Sequence, residues 1–214
     1  ALALTSGVAM ADYSLTILHT NDFHARFEPI SKYDSGCSAE DNDAGECFGG
    51  FARLITAIEG ARGRSNNSIL VDGGDQFQGT LFYTYYKGEQ GGEKIGLIGL
   101  TPQDTDELAS PGPNIIFTDP SDAVQGEVDK LTEAGVNKII VLSHSGYGVD
   151  QTVAENTTGV DVIVGGHTNT LLGDMDRAEG PYPTMVGNTA IVSAYAYGKF
   201  LGELNVTFDD EGNV

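Results

Sequence analysis

An apolar run at residues 15–18 stops on a carboxylate and an imidazole two positions apart, in the sequence Leu15-Thr16-Ile17-Leu18-His19-Thr20-Asn21-Asp22-Phe23-His24. Four to six apolar or β-branched residues read as a buried strand. Ligands of open α/β sheets collect just beyond the carboxyl ends of such strands, which is where Asp22 and His24 fall. The pattern recurs at residues 68–71 before Asp72-Gly73-Gly74-Asp75, at 139–142 before Ser143-His144, and at 160–164 before Gly165-Gly166-His167-Thr168-Asn169. Three of the four histidines thus stand at strand ends. A single Asp or His there is usually a turn former, whereas four strand ends offering Asp, His and Asn together point to one shared site. Asp72 and Asp75 are alternatives at the second strand, and spacing does not separate them.

Carboxylate, imidazole and amide donors without thiolate select hard or borderline divalent ions, Zn or Mn first and Mg or Ca after them. The donors suffice for two ions sharing a carboxylate, the arrangement that clamps the attacking and leaving oxygens of a phosphoryl transfer. Phosphoester hydrolysis is the reaction such a pair suits. Lys and Arg total 11 against 31 Asp and Glu, a formal charge of −20. That field repels nucleic-acid polymers and anionic lipid. A small anionic phosphoester is still admitted, because two divalent ions supply a local charge of about +4.

The 214 residues are enough for a sizeable core. Residues 1–11, with Ala9 and Ala11 ahead of Asp12, read as the end of a secretory signal or as an apolar N-terminal arm. No other stretch approaches the ~20 apolar residues of a membrane span. Cys37 and Cys47 are the only cysteines and lie in a Gly-, Asp- and Ser-rich stretch; in an exported chain such a pair favours a disulfide over free thiols or a metal pair. The expected setting is therefore periplasmic, cell-surface or secreted.

In chain order, residues 26–48 read as a long loop over the site mouth and 49–64 as a helix with Phe51, Leu54, Ile55 and Ile58 on one face. Residues 80–87 are aromatic-rich and fit a short helix or a strand; 95–100 fit a strand, and 115–117 an edge strand. Pro120 opens a helix behind Asp119 as N-cap, with Gly135 ending it. A short helix over 149–156 follows the third ligand-bearing strand. Residues 171–189 read as loop, and 191–195 and 201–208 as strands, the last alternating Leu204, Val206 and Phe208 with Glu203, Asn205 and Thr207.

The segments LTILHTNDFHARFEP, CFGGFARL, VDGGDQFQGTLFYTYYKG, KIGLIGLTPQDT, VNKIIVLSHSG, VDVIVGGHTNTLL and AYAYGKFLGELNVTFDDEGNV together resemble the N-terminal metallophosphoesterase domain of the 5'-nucleotidase family, from Tyr13 onward. The resemblance implies an α/β fold over residues 12–214, a two-layer β-sandwich flanked by helices, with a dinuclear metal site. Carried onto matching positions, Asp22, His24 and Asn169 would hold one ion, His144 and His167 the other, and Asp75 would bridge them. It favours Asp75 over Asp72, implies attack on phosphorus by metal-bound hydroxide, matches Cys37 and Cys47 to a disulfide, and makes His19 a strand residue. Two departures carry expectations. After Gly88 the family has a stretch ending Gly-Asn-His-Glu, whose Asn is a ligand and whose His, with a following Asp, assists the transition state. No residues here match that stretch, so no catalytic acid–base group is identified, and its loss lowers rates 10²–10⁴-fold. The family also continues beyond the position of Val214 into a base-recognising domain, without which hydrolysis of simple esters is expected rather than nucleotide selectivity. The resemblance thus implies a weakened nucleotide phosphohydrolase; the alternatives are a metal-retaining, inactive interaction module of an exported assembly, or a fragment that does not fold stably.

Overall fold

The alternation expected at the end of the chain is what ties the two sheets together. Leu204, Val206 and Phe208 are buried on one face of the strand Gly202–Phe208 while Asn205 and Thr207 are exposed on the other. The computed structural model describes residues 12–24, 26–75, 89–90, 93–108 and 115–214. In chain order the elements are β1 (Tyr13–Thr20), α1 (Ala39–Asp43), α2 (Phe51–Arg64), β2 (Ser68–Asp72), β3 (Glu89–Gln90), β4 (Glu93–Lys94), β5 (Gly96–Leu100), α3 (Thr105–Leu108), α4 (Pro120–Glu133), β6 (Ile139–Ser143), α5 (Tyr147–Asn156), β7 (Val162–Val164), β8 (Thr184–Val186), β9 (Thr189–Val192) and β10 (Gly202–Phe208).

Three strands form one sheet in the order β10-β1-β2 and five form another in the order β5-β6-β7-β9-β8; β3 and β4 make a small hairpin. β1 runs parallel to β2 and antiparallel to β10, and β5, β6, β7 and β9 are all parallel. Leu15, Ile17, Leu204, Val206 and Phe208 of the smaller sheet pack on Ile140, Val162, Val164, Ala190 and Val192 of the larger. The opposite face of the larger sheet, through Ile139, Val141, Ile163 and Ile191, packs on Val124 and Val128 of α4 and Val153 and Ala154 of α5. Leu18 turns outward from β1 onto Leu54, Ile58 and Ala61 of α2. The result is helix, sheet, sheet, helix: the two-layer sandwich with flanking helices. Strands buried on both faces read as unbroken apolar runs, as residues 139–142 and 162–164 do. Each fully buried aliphatic side chain contributes roughly 1.5–3 kcal/mol.

Several expectations are corrected. Residues 115–117 form no strand: Ile116 is 85% exposed, and a strand needs a neighbour to satisfy its backbone. The loop read over 171–189 contains β8, which pairs antiparallel with β9 across Gly187-Asn188, Gly187 taking φ 57°. The strand expected at 191–195 is shifted to Thr189–Val192, because the chain turns away at Tyr195 and Tyr197, both at positive φ. The long loop at 26–48 holds α1, capped by the Ser38 hydroxyl, and closes on itself where Ile30 bridges Gly36 and Phe48. Cys37 and Cys47 are joined by a disulfide with Cα atoms 6.1 Å apart. The N-terminal stretch 1–11 and the aromatic-rich stretch 80–87 lie outside the described residues.

Candidate metal centre

Parallel strands aim their carboxyl ends one way, and the loops leaving β1, β2, β6 and β7 meet at that edge. Backbone hydrogen bonds knit the first two: Gly73 N–H donates to Thr20 O at 2.8 Å, Asp22 N–H to Gly74 O at 2.8 Å and His24 N–H to Asp75 O at 3.0 Å. Tyr197 N–H donates to Asp22 O at 2.8 Å and brings in the loop after β9. Glycines set how closely these loops approach. A Cβ on Gly73 would stand 2.9 Å from Gly165 O, one on Gly74 2.8 Å from His144 Nδ1, and one on Gly166 2.7 Å from Gly73 O and 3.0 Å from Asp22 Oδ2. No larger residue fits there without moving a loop.

Asp22, His24 and Asp75 form a cluster whose ligand-type atoms lie within 4.8 Å of one another. His24 stands between the carboxylates, Nδ1 3.4 Å from Asp75 Oδ2 and Nε2 3.9 Å from Asp22 Oδ1. The same Asp22 Oδ1 lies 3.8 Å from His144 Nε2, and the His144 and His167 rings are 5.2 Å apart. His167 N–H donates to Asp22 Oδ2 at 2.9 Å. Five of the six predicted ligands, Asp22, His24, Asp75, His167 and Asn169, have positive φ between 49° and 76°. Left-handed backbone costs a non-glycine residue about 1–2 kcal/mol, and strain of this kind concentrates at functional sites.

Burial raises the Asp22 carboxyl above the ordinary carboxylate range, opposed by the Asn21 amide, by His144 and His24, and by the His167 N–H. Asp75 Oδ1 and Asn169 Oδ1 are buried with no hydrogen-bond partner among the described residues. Asp72 is used otherwise: Oδ2 accepts from the Thr20 hydroxyl at 2.5 Å and Oδ1 from Gly74 N–H at 2.8 Å, which holds the turn that presents Asp75. His19 is fully buried and neutral, its ring stacked on Tyr182 with Nε2 2.8 Å from the phenol oxygen; burial lowers it to about 3.

Sequence reasoning does not single out Asn21. Its amide donates to Asp22 Oδ2 at 2.8 Å and to Tyr195 O at 2.6 Å, and its oxygen accepts from Ala194 N–H at 2.7 Å. Its adjacency to Asp22 is the available signal. Tyr197, 5.4 Å from the His24 ring and carrying the Arg26 guanidinium over its own ring at 5.4 Å, has none. A cavity of about 620 Å³ lies apart, lined by Leu172, Met175, Tyr182, Phe200 and Glu203 among others and by none of the predicted ligands.

The chain is similar to the snake venom 5'-nucleotidase of Crotalus adamanteus, 36% identical over 283 residues that cover 97% of this chain and 47% of the relative. It is 35% identical over 282 residues to the 5'-nucleotidase of Homo sapiens, covering 96% and 48%. Among solved structures, the 5'-nucleotidase precursor of Thermus thermophilus matches with a TM-score of 0.80 and 33% identity, over 94% of this chain and 52% of that one. A calcineurin-like phosphoesterase of Bacillus subtilis, at 18% identity, shares the fold with a TM-score of 0.74 and is covered to 88%. No family model matches. The chain spans about half the length of the curated relatives it matches. The alignment with the venom protein runs over 283 residues against the 214 of this chain, so that relative carries internal positions with no counterpart here.

Proposed function

The chain belongs to the 5'-nucleotidase family, and we propose from that premise that it is a two-metal phosphoester hydrolase acting on nucleotides or other small phosphoesters. Asp22, His24 and Asn169 would hold one divalent ion, His144 and His167 the other, with Asp75 shared. The observation carrying this reading is the cluster of Asp22, His24 and Asp75, in which Asp75 Oδ2 lies 3.4 Å from His24 Nδ1 and Asp75 Oδ1 is buried with no hydrogen-bond partner among the described residues. A buried acceptor without a donor is costly in a dry protein, and a cation removes that cost. The donor set has no thiolate, which favours Zn or Mn, with Mg or Ca behind them.

When bound, two such ions acidify a water and neutralise charge on phosphoryl oxygens. The residues themselves do the positioning. The His144 Nδ1–H donates to Gly73 O at 2.7 Å, which fixes the tautomer and leaves Nε2 as the donor atom. The Asn21 amide and His167 N–H orient the Asp22 carboxylate. The disulfide suits an oxidising, exported setting. Among the described residues, no helix is long and apolar enough to cross a membrane.

A second reading, a metal-binding module without turnover, is favoured by the internal positions of the relatives that this chain lacks. Metal analysis of the purified chain, with hydrolysis of a chromogenic phosphate monoester and of AMP in added Mn or Zn, separates the two. Two ions with turnover support the enzyme; two ions without turnover support the module; no bound ion refutes both.

A further inference from the structure

We propose, resting on the two-metal reading above, that Asp150 is the positioning residue that sets the distance between the His144 loop and the Gly165-Gly166-His167 loop. Asp150 lies in the first turn of α5, seven positions after Ser143, and is 1% exposed. Its two carboxylate oxygens serve different loops. Oδ1 accepts from the Ser143 hydroxyl at 2.5 Å, and that hydroxyl in turn accepts from Ser145 N–H at 3.1 Å, so the residues on either side of His144 are fastened to it. Among the described residues Oδ2 has no hydrogen-bond partner, and it stands against Gly165, where it is the obstacle a Cβ would meet first.

With Asp150 and Gly165, the residues Tyr147, Thr168, Thr170 and Ser193 line a void too narrow for a water molecule. A buried carboxylate oxygen left without a donor is not explained by packing alone, since an isosteric apolar side chain would fill the same volume without the desolvation cost. Its place under both loops gives it a use. Pinned on one side by hydrogen bonds and on the other by hard contact, the carboxylate is a rigid spacer, and ligand orientation by such outer groups changes metal affinity 10–100-fold.

Gly165 offers a specific probe. It has no positive φ, and beyond Asp150 the nearest atom its added methyl would meet is Val192 O, at an ordinary 3.6 Å. Calorimetric titration of Mn²⁺ into the full chain is expected to show binding weakened about tenfold in Gly165→Ala, in Asp150→Ser and in Ser143→Ala. In the Gly165→Ala/Asp150→Ser double variant the methyl takes the room the oxygen leaves, so its loss is expected to be smaller than the product of the two single losses. Losses that simply multiply would overturn the proposal. So would parental affinity in Gly165→Ala, or variants that lower the melting temperature of the chelator-treated chain while binding Mn²⁺ normally. Should Gly165→Ala fail to fold, Ser143→Ala, which removes one hydroxyl, decides alone by whether its affinity falls. A parent chain that binds no divalent ion overturns both this proposal and the reading beneath it, whereas a parent that binds two with variants unchanged overturns this one only.

Discussion

Asp75 has one oxygen 3.4 Å from His24 Nδ1 and the other buried without a partner among the described residues, so a single substitution should remove more than one ligand bond. Asp75→Ala is expected to abolish binding of both ions and hydrolysis with them, read by metal analysis of the folded variant; retention of both ions would refute the shared-ligand assignment. His19 behaves oppositely, as a histidine kept neutral. Burial holds it down to about 3 in the folded chain against 6.5 when free, so between those values the unfolded state binds the extra proton and acidification destabilises, by up to about 1.4 kcal/mol per pH unit. Stability from His19 is therefore complete above 6.5 and declines as pH falls. Asp150 and Asp161, pushed up by burial to about 7 and about 6, act in the other direction, so the difference between the parent and His19→Asn isolates the histidine. Urea unfolding at about pH 7 and pH 4.5 should show a shallower acid loss in His19→Asn; equal losses would place the titration elsewhere. That Asp22, His24, His144 and His167 lie close to one another was legible because strand ends announce themselves as apolar runs that stop on polar residues, whereas spacing left Asp72 and Asp75 as alternatives. Ser143 and Asp150 were not. Their partners are set by where α5 lands on the larger sheet, which no local pattern encodes.

At the scale of elements, legibility followed the strength of the period and the cap. The helix α4 begins at Pro120 as expected, with the Asp119 carboxylate accepting from Ser121 N–H at 2.9 Å and Asp122 N–H at 3.2 Å. Asp119→Ala should cost about 1 kcal/mol and lower the melting temperature by about 2–4 °C; an unchanged urea midpoint would mean that packing of Val124 and Val128 alone holds the helix. The hairpin β8-β9 was missed although Gly187-Asn188 between Val186 and Thr189 is a recognised two-residue turn signal. The surrounding glycines and prolines drowned it. Ile115-Ile116-Phe117 failed in the opposite way: β-propensity reports the fit of a side chain to a half-buried sheet surface, and no strand stands beside this segment among the described residues.

Across the whole molecule, a formal charge of −20 presses against folding through self-repulsion, and the proposed ions would relieve it at the edge where the Asp22 and Asp75 carboxylates converge. A ligand that binds only the folded state stabilises it by about 2.7 kcal/mol at a hundredfold excess over its dissociation constant, which for a chain of this size raises the melting temperature by roughly 5–10 °C. Added Mn²⁺ should therefore raise the melting temperature of the parent in a concentration-dependent way, and a chelator should reverse it. Bulk screening is the competing cause. Sodium chloride at about 0.1 M screens surface charge over about 10 Å and relieves repulsion wherever it lies, so its effect should be the same in the parent and in Asp75→Ala. The rise produced by Mn²⁺ at matched ionic strength should belong to the parent alone. An equal rise in Asp75→Ala would mean that Mn²⁺ acts as a diffuse counterion on an acidic surface, and the carboxylates and imidazoles gathered at the strand ends would then hold no ion of their own.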